Sequence, residues 1–238
     1  ADIDRAGVAA AAAAIAIVFA GRNGEWDTEG SDLPDIRLPG AQDDLIAAVA
    51  EANPRTIVVL QTGAPVEMPW LGSVAAVLEA WYPGQEAGNA IADVLTGKAE
   101  PGGRLSQTFP LKWADNPTHS QDPQVYPGLN GKVRYEEGVF VGYRHYERHG
   151  ISPMFPFGFG LGYTQFALDA LEIDAGRFEV DGALGVRARL TNIGQRTGQC
   201  VVQLYVEDEM ASVPRPRKEL KAFEKLALEA GESREIAF

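Results

Sequence analysis

Two apolar runs with one helix-length stretch between them set the strongest limit on this chain. Ile15-Ala16-Ile17-Val18-Phe19-Ala20 and Thr56-Ile57-Val58-Val59-Leu60-Gln61 do not alternate with polar residues, as expected of strands buried on both faces of a sheet. Between them, Ala41 to Asn53 puts Leu45, Ile46 and Val49 on one helical face. It stops at Asn53-Pro54, where the residue before proline disfavours the α conformation. A third apolar run, Val74 to Leu78, precedes a helical stretch from Gln85 to Leu95, with Ala87, Ile91 and Val94 inward and Gly97 closing it. Arg5 to Ala14 reads as a helix feeding the first strand, and Arg104 to Phe109 fits a further short strand. The rhythm is that of an α/β fold, a mainly parallel sheet with helices on both faces and right-handed crossovers.

Two later regions differ. Residues 113 to 165 mix Gly, Pro, aromatic and charged residues with little period, and so long an irregular stretch inside a domain implies function or wrapping around another part. From Phe166 the period becomes two: Val186, Ala188 and Leu190 alternate with Arg187, Arg189 and Thr191, and Val202, Leu204 and Val206 with Gln203, Tyr205 and Glu207. Asn192-Ile193-Gly194 marks a turn, and Pro214 and Pro216 an edge or loop. This pattern predicts a β-sandwich. Its roughly 70 residues fall short of the ~100 of a full immunoglobulin-like domain. The opening sheet also starts as if in its middle, so the expectation is a piece of a longer polypeptide, with residues 1–165 as the α/β part and its wrapping segment and 166–238 as the incomplete sandwich.

The first strand runs into Gly21-Arg22-Asn23-Gly24-Glu25-Trp26-Asp27-Thr28-Glu29-Gly30-Ser31-Asp32. Open α/β sheets bind ligands beyond the carboxyl ends of their strands, so this loop brings carboxylates and an indole to the edge where chemistry is usual. An aromatic ring stacks on the apolar face of a sugar, and a carboxyl group in an apolar setting can act as a general acid. A solvated acidic loop is the plainer alternative.

The formal charge of -12 argues against nucleic acid or an anionic membrane as partner. The apolar run from Val8 to Ala20 is too short to span a bilayer. One cysteine, Cys200, permits no intrachain disulfide and leaves the compartment open. Glu67 is expected to bond structurally, and Glu86 to favour a helix N-terminus. Gly158-Phe159-Gly160-Leu161-Gly162 lacks the following helix of a dinucleotide loop. His145 and His149, with Glu147 between, would need a third ligand and a regular helix to hold a metal, and Gly142 and Gly150 argue against that helix. No metal or cofactor is expected.

Taken together and in order, Glu25-Trp26-Asp27-Thr28-Glu29-Gly30, Leu38-Pro39-Gly40, Asn53-Pro54, Gly63-Ala64-Pro65-Val66, Trp81-Tyr82-Pro83-Gly84-Gln85-Glu86, Gly102-Gly103-Arg104-Leu105 with Thr108-Phe109-Pro110, and Phe155-Pro156-Phe157-Gly158-Phe159-Gly160-Leu161 closely resemble the C-terminal half of glycoside hydrolase family 3. The resemblance covers nearly the whole chain.

It implies a retaining, β-glucosidase-like exo-glycosidase that hydrolyses terminal non-reducing β-D-glucosyl residues of β-glucosides or oligosaccharides. The family's N-terminal (β/α)8 barrel, not found in this chain, carries the aspartate nucleophile. A second α/β domain supplies the acid/base, and a fibronectin type III-like domain follows. By this resemblance the acid/base maps onto Glu29, with Asp27 as runner-up and Glu25 a distant third, while Trp26 and Asp27 are candidates for substrate contact. A retaining mechanism needs its two carboxyl groups about 5–5.5 Å apart, so Glu29 would reach a sugar held by the barrel. The chain on its own is expected to be inactive. The alternatives are a non-catalytic carbohydrate-binding or scaffolding fragment and a flavodoxin-like cofactor protein, the latter lacking a phosphate-cradling loop.

Overall fold

A computed structural model describes residues 2–120, 122–174 and 182–238. The chain folds as two compact units. One comprises the chain to Ile91 with Gln107–Glu136 and Ile151–Pro156; the other comprises Ala92–Ser106, Glu137–Gly150 and Phe157–Phe238. The irregular middle of the sequence contributes to both.

The first unit is built on a parallel sheet of three strands, β1 (Ala16–Gly21), β2 (Thr56–Gln61) and β3 (Ala76–Glu79), with β2 central. Ala16 pairs with Thr56 and Ile57 with Ala76, so the three strands end along one edge. Helix α1 (Asp2–Ala11) precedes β1, α2 (Gln42–Ala52) links β1 to β2, and α3 (Ala87–Leu95) follows β3. Val58, Val59 and Leu60 of β2 and Ile46 of α2 are fully buried, and burying side chains of this size contributes about 1.5–3 kcal/mol each. Buried Asn53, just past α2, donates to Ala10 O and Ala13 O at 2.9 Å each and so ties the ends of α1 and α2 together. In the first turn of α2, Asp43 accepts the indole N–H of buried Trp70 at 2.7 Å.

Three expectations change here. β1 is not buried on both faces: Ala16, Val18 and Ala20 are buried, while Ile17 and Phe19 are exposed. β1 is an edge strand of a three-stranded sheet, and one of its faces is uncovered among the described residues. Arg104 to Phe109 forms no strand. It pairs only at points, Leu105 with Gly158 and Phe159, and Phe109 with Phe155. Tyr143–His149 does form a helix, α4, because Gly142 and Gly150 lie just outside it; Gly150 takes the left-handed conformation of a C-terminal cap, which glycine adopts without steric cost. The His145 and His149 rings lie 4.7 Å apart, and Glu147 pairs with Lys218 at 2.7 Å.

In the second unit β4 (Phe166–Ile173), β5 (Val186–Asn192) and β8 (Ser233–Ala237) form an antiparallel sheet in the order β4-β5-β8, and β6 (Gly198–Val206) pairs with β7 (Glu219–Leu228). Their shared core is Ala188, Leu190, Val202, Leu226, Leu228 and Ile236, with Phe166, Cys200 and Phe238 against it. The predicted alternation holds through β5. In β6 it is lost after Val202: Leu204 is half-buried like its neighbours Gln203 and Tyr205, and Val206 is exposed.

Candidate active site

The acidic loop leaves the sheet under unusual constraint. A Cβ at Gly21 would overlap the Gln61 carbonyl oxygen on the neighbouring strand, so only glycine ends β1 there. The Gln42 side-chain amide grips the same residue from the other side, accepting from Gly21 N at 2.7 Å and donating to Gly21 O at 2.9 Å. Arg22 continues the ladder with its N–H on Gln61 O at 3.0 Å. Asn23 then forms the turn: its carbonyl accepts from the backbone N–H of Trp26 and of Asp27, and its side chain accepts from Glu25 N.

Asp27 is where the ends of all three strands meet. Its Oδ2 accepts the backbone N–H of Gly63, just past β2, at 2.9 Å. The same oxygen accepts the Tyr82 hydroxyl, past β3, at 2.5 Å. Its Oδ1 lies 3.8 Å from Nη1 of Arg22, whose side chain is wholly buried. Arg22 also donates to Arg37 O, while its Nε and Nη1 have no hydrogen-bond partner among the described residues. Partial burial of the Tyr82 hydroxyl, and then its bond to Asp27, push its pKa up to about 12, so it remains a donor to Asp27 at any working pH.

Glu29 lies two residues beyond this anchor. It is exposed, and no side-chain hydrogen bond or ion pair holds it among the described residues. Gly30 follows at φ 80°, in the left-handed region. Trp26 is 41% exposed and lines a shallow cavity of about 290 Å³ together with Asn23, Gln42 and Gln61; neither Asp27 nor Glu29 lines it. Glu25 is exposed. The structure therefore gathers the loop residues named from the sequence but separates them by environment, with Asp27 bound into the scaffold and Glu29 projecting from it. Among the described residues no group of three His, Cys, Asp or Glu is placed to hold a metal.

Sequence reasoning assigned no role to Glu79, Tyr82 or Gly63. Glu79 closes β3 at the same edge, and desolvation by burial pushes its carboxyl up to about 7 against the opposing bonds of Trp81 N–H and Thr62. The signal was an acid ending the apolar run Val77-Leu78-Glu79. The expected structural role of Glu67 is seen: its carboxylate accepts Trp113 N at 2.6 Å.

Residues 1–143 match the Glycosyl hydrolase family 3 C-terminal domain. This chain belongs to glycoside hydrolase family 3. Residues 200–238 match the Fibronectin type III-like domain, in keeping with the sandwich. A beta-glucosidase of Rhizobium radiobacter is 59% identical over 217 residues, covering 91% of this chain and 26% of that protein. Among solved structures, DesR, a beta-glucosidase from Streptomyces venezuelae in complex with D-glucose, superposes with a TM-score of 0.91 at 42% identity, covering 99% of this chain and 29% of its own. A beta-glucosidase from Kluyveromyces marxianus gives 0.93 at 42%, covering 100% and 28%. This family 3 chain thus spans between 26% and 29% of the length of these three proteins. Among the described residues it has no helix long and apolar enough to cross a membrane.

Proposed function

We propose that this chain is the acid/base-bearing part of a retaining exo-acting β-glucosidase, with Glu29 as the proton donor. In the first step Glu29 gives its proton to the glycosidic oxygen as the aglycone leaves. In the second, the same carboxylate takes a proton from the water that hydrolyses the glycosyl-enzyme. The nucleophile and most of the grip on the terminal glucosyl residue come from a (β/α)8 barrel outside this chain. Trp26 offers an aromatic face to the sugar or aglycone. The boundary between the α/β part and the fibronectin type III-like part falls at 165/166, directly before β4.

One observation carries the choice among the loop acids. Asp27 spends its carboxylate on Gly63 N–H and the Tyr82 hydroxyl, while Glu29 stands exposed and unengaged. A proton donor has to be free to meet its substrate, whereas a residue fixed by three strand ends is an anchor.

In the full-length enzyme, Glu29→Ala is expected to lower kcat/KM for glucosides with poor leaving groups by about 100-fold or more. Azide should restore turnover of activated aryl glucosides as a β-glucosyl azide product. A variant that hydrolyses alkyl glucosides at the native rate removes the assignment.

A further inference from the structure

The third strand ends on an acid that the proposed chemistry does not use. Glu79 Oε1 accepts the backbone N–H of Trp81 at 2.9 Å, and its Oε2 is buried with no hydrogen-bond partner among the described residues. Trp81 has φ 52°, in the left-handed region, where a residue carrying a side chain persists only if its surroundings hold it there. Two contacts do so. One is the Glu79 oxygen on its amide. The other is the edge-on packing of its indole against buried Phe109, with ring centroids 5.9 Å apart. The turn made this way carries the next residue, Tyr82, so that its hydroxyl meets Asp27 Oδ2. Asp27 in turn roots the loop two residues before Glu29.

We propose that Glu79 is a positioning residue for the proton donor: it holds the Trp81–Tyr82 turn, the turn holds Asp27, and Asp27 sets where Glu29 stands. The proposal rests on the reading of Glu29 as acid/base. Glu79 acts entirely through the chain Trp81, Tyr82 and Asp27.

The effect to look for is selective for the leaving group. A misplaced proton donor slows only substrates that need protonation, while loss of folded enzyme slows all of them equally. The experiment measures kcat/KM of the full-length enzyme on a dinitrophenyl β-glucoside and on an alkyl β-glucoside. The variants are Glu79→Ala and Glu79→Gln, with Glu29→Ala as reference. Glu79→Ala is expected to lose about ten-fold or more on the alkyl substrate and less than about three-fold on the dinitrophenyl one. Glu79→Gln keeps an acceptor for the Trp81 amide and should recover most of the loss. Equal losses on both substrates, or no loss on either, overturn the proposal. If Glu79→Ala does not fold, Tyr82→Phe cuts the next link and carries the same test, with the same selective loss expected and equal losses overturning it. The reference separates the two readings. A crippled Glu29→Ala beside an unselective Glu79→Ala removes Glu79 alone, whereas a fully active Glu29→Ala removes both.

Discussion

The carboxyl edge of the parallel sheet and the corner of the sandwich both bury polar side chains, but they satisfy them differently. In the sandwich, Asn192 is fully buried and its amide is in complete use. Nδ2 donates to Arg196 O at 2.8 Å and Leu228 O at 3.0 Å, and Oδ1 accepts from the Thr164 hydroxyl at 2.7 Å and Gly194 N at 3.1 Å. At the sheet edge, Arg22 Nε and Nη1 and Glu79 Oε2 have no hydrogen-bond partner among the described residues, Nη1 facing the Asp27 carboxylate at 3.8 Å. Buried polar atoms are nearly always bonded, because leaving one unmade costs about 1–3 kcal/mol. A fully satisfied network specifies a fold. An incompletely satisfied one at a strand-end edge is a place where stability has been given up, and such places are expected at working sites. The comparison predicts that substitutions in the sandwich corner change stability and little else, while substitutions at the sheet edge change catalysis more than their stability cost accounts for.

The largest stability effect should come from Asn192→Ala. It strips Leu228 O and Arg196 O of their donor and leaves the Thr164 hydroxyl and Gly194 N–H without an acceptor. The expected loss is about 3 kcal/mol or more by denaturant unfolding, with kcat/KM of the remaining folded enzyme unchanged. A leaving-group-dependent loss of activity in this variant would break the comparison.

Glu79 should give the next largest effect, and its sign is fixed by the direction of its shift. The carboxyl titrates near 4.5 when unfolded and at about 7 when folded, so between these values the folded state holds the extra proton. Its contribution to stability is full below about pH 4.5 and is lost as pH rises through about 7. The fall amounts to roughly 3 kcal/mol at most. Glu79→Gln should flatten that part of the stability–pH curve. Unfolding free energies measured from pH 4 to 8 check this, and an unchanged slope would mean that the carboxyl is not desolvated in the folded enzyme.

Much of the fold was legible because it follows from local rules. The apolar runs at β1, β2 and β3, the proline stop after Asn53 and the alternation of β5 announce themselves within a few residues. The site was legible only in part. The loop from Glu25 to Asp32 stood out by its acids and indole, but its anchor did not. Asp27 meets Gly63 and Tyr82, 36 and 55 residues away, and no local spacing encodes a contact between the ends of different strands. The open face of β1 was missed for the opposite reason: apolar Ile17 and Phe19 look the same in sequence whether or not anything covers them. Around α4, Gly142 and Gly150 look like interruptions in the sequence, yet with positive φ angles of 56° and 62° they flank the helix without entering it.

The smallest effects come from a matched pair of glycine substitutions. A Cβ at Gly63 would sit 3.0 Å from Tyr82 Cε2 and 3.1 Å from Asp27 Oδ2, and Tyr82 is 51% exposed. The ring can give by a few tenths of an ångström toward solvent, so Gly63→Ala should cost less than about 1 kcal/mol. At Gly194 the added carbon would overlap the Thr164 hydroxyl and stand 3.1 Å from Gln165 N, inside the Asn192 network. Thr164 can escape only by giving up its bond to Asn192, so Gly194→Ala should cost about 1–2 kcal/mol. If the sheet edge positions a proton donor, activity should run the other way. Gly63→Ala, the milder change for the fold, should lower kcat/KM on an alkyl glucoside by several-fold through a shift of Asp27, and Gly194→Ala should leave it unaltered. Both substitutions scored for unfolding free energy and for leaving-group dependence give four numbers. The distinction between scaffold and working edge survives only if the order of the two variants reverses between the two measurements.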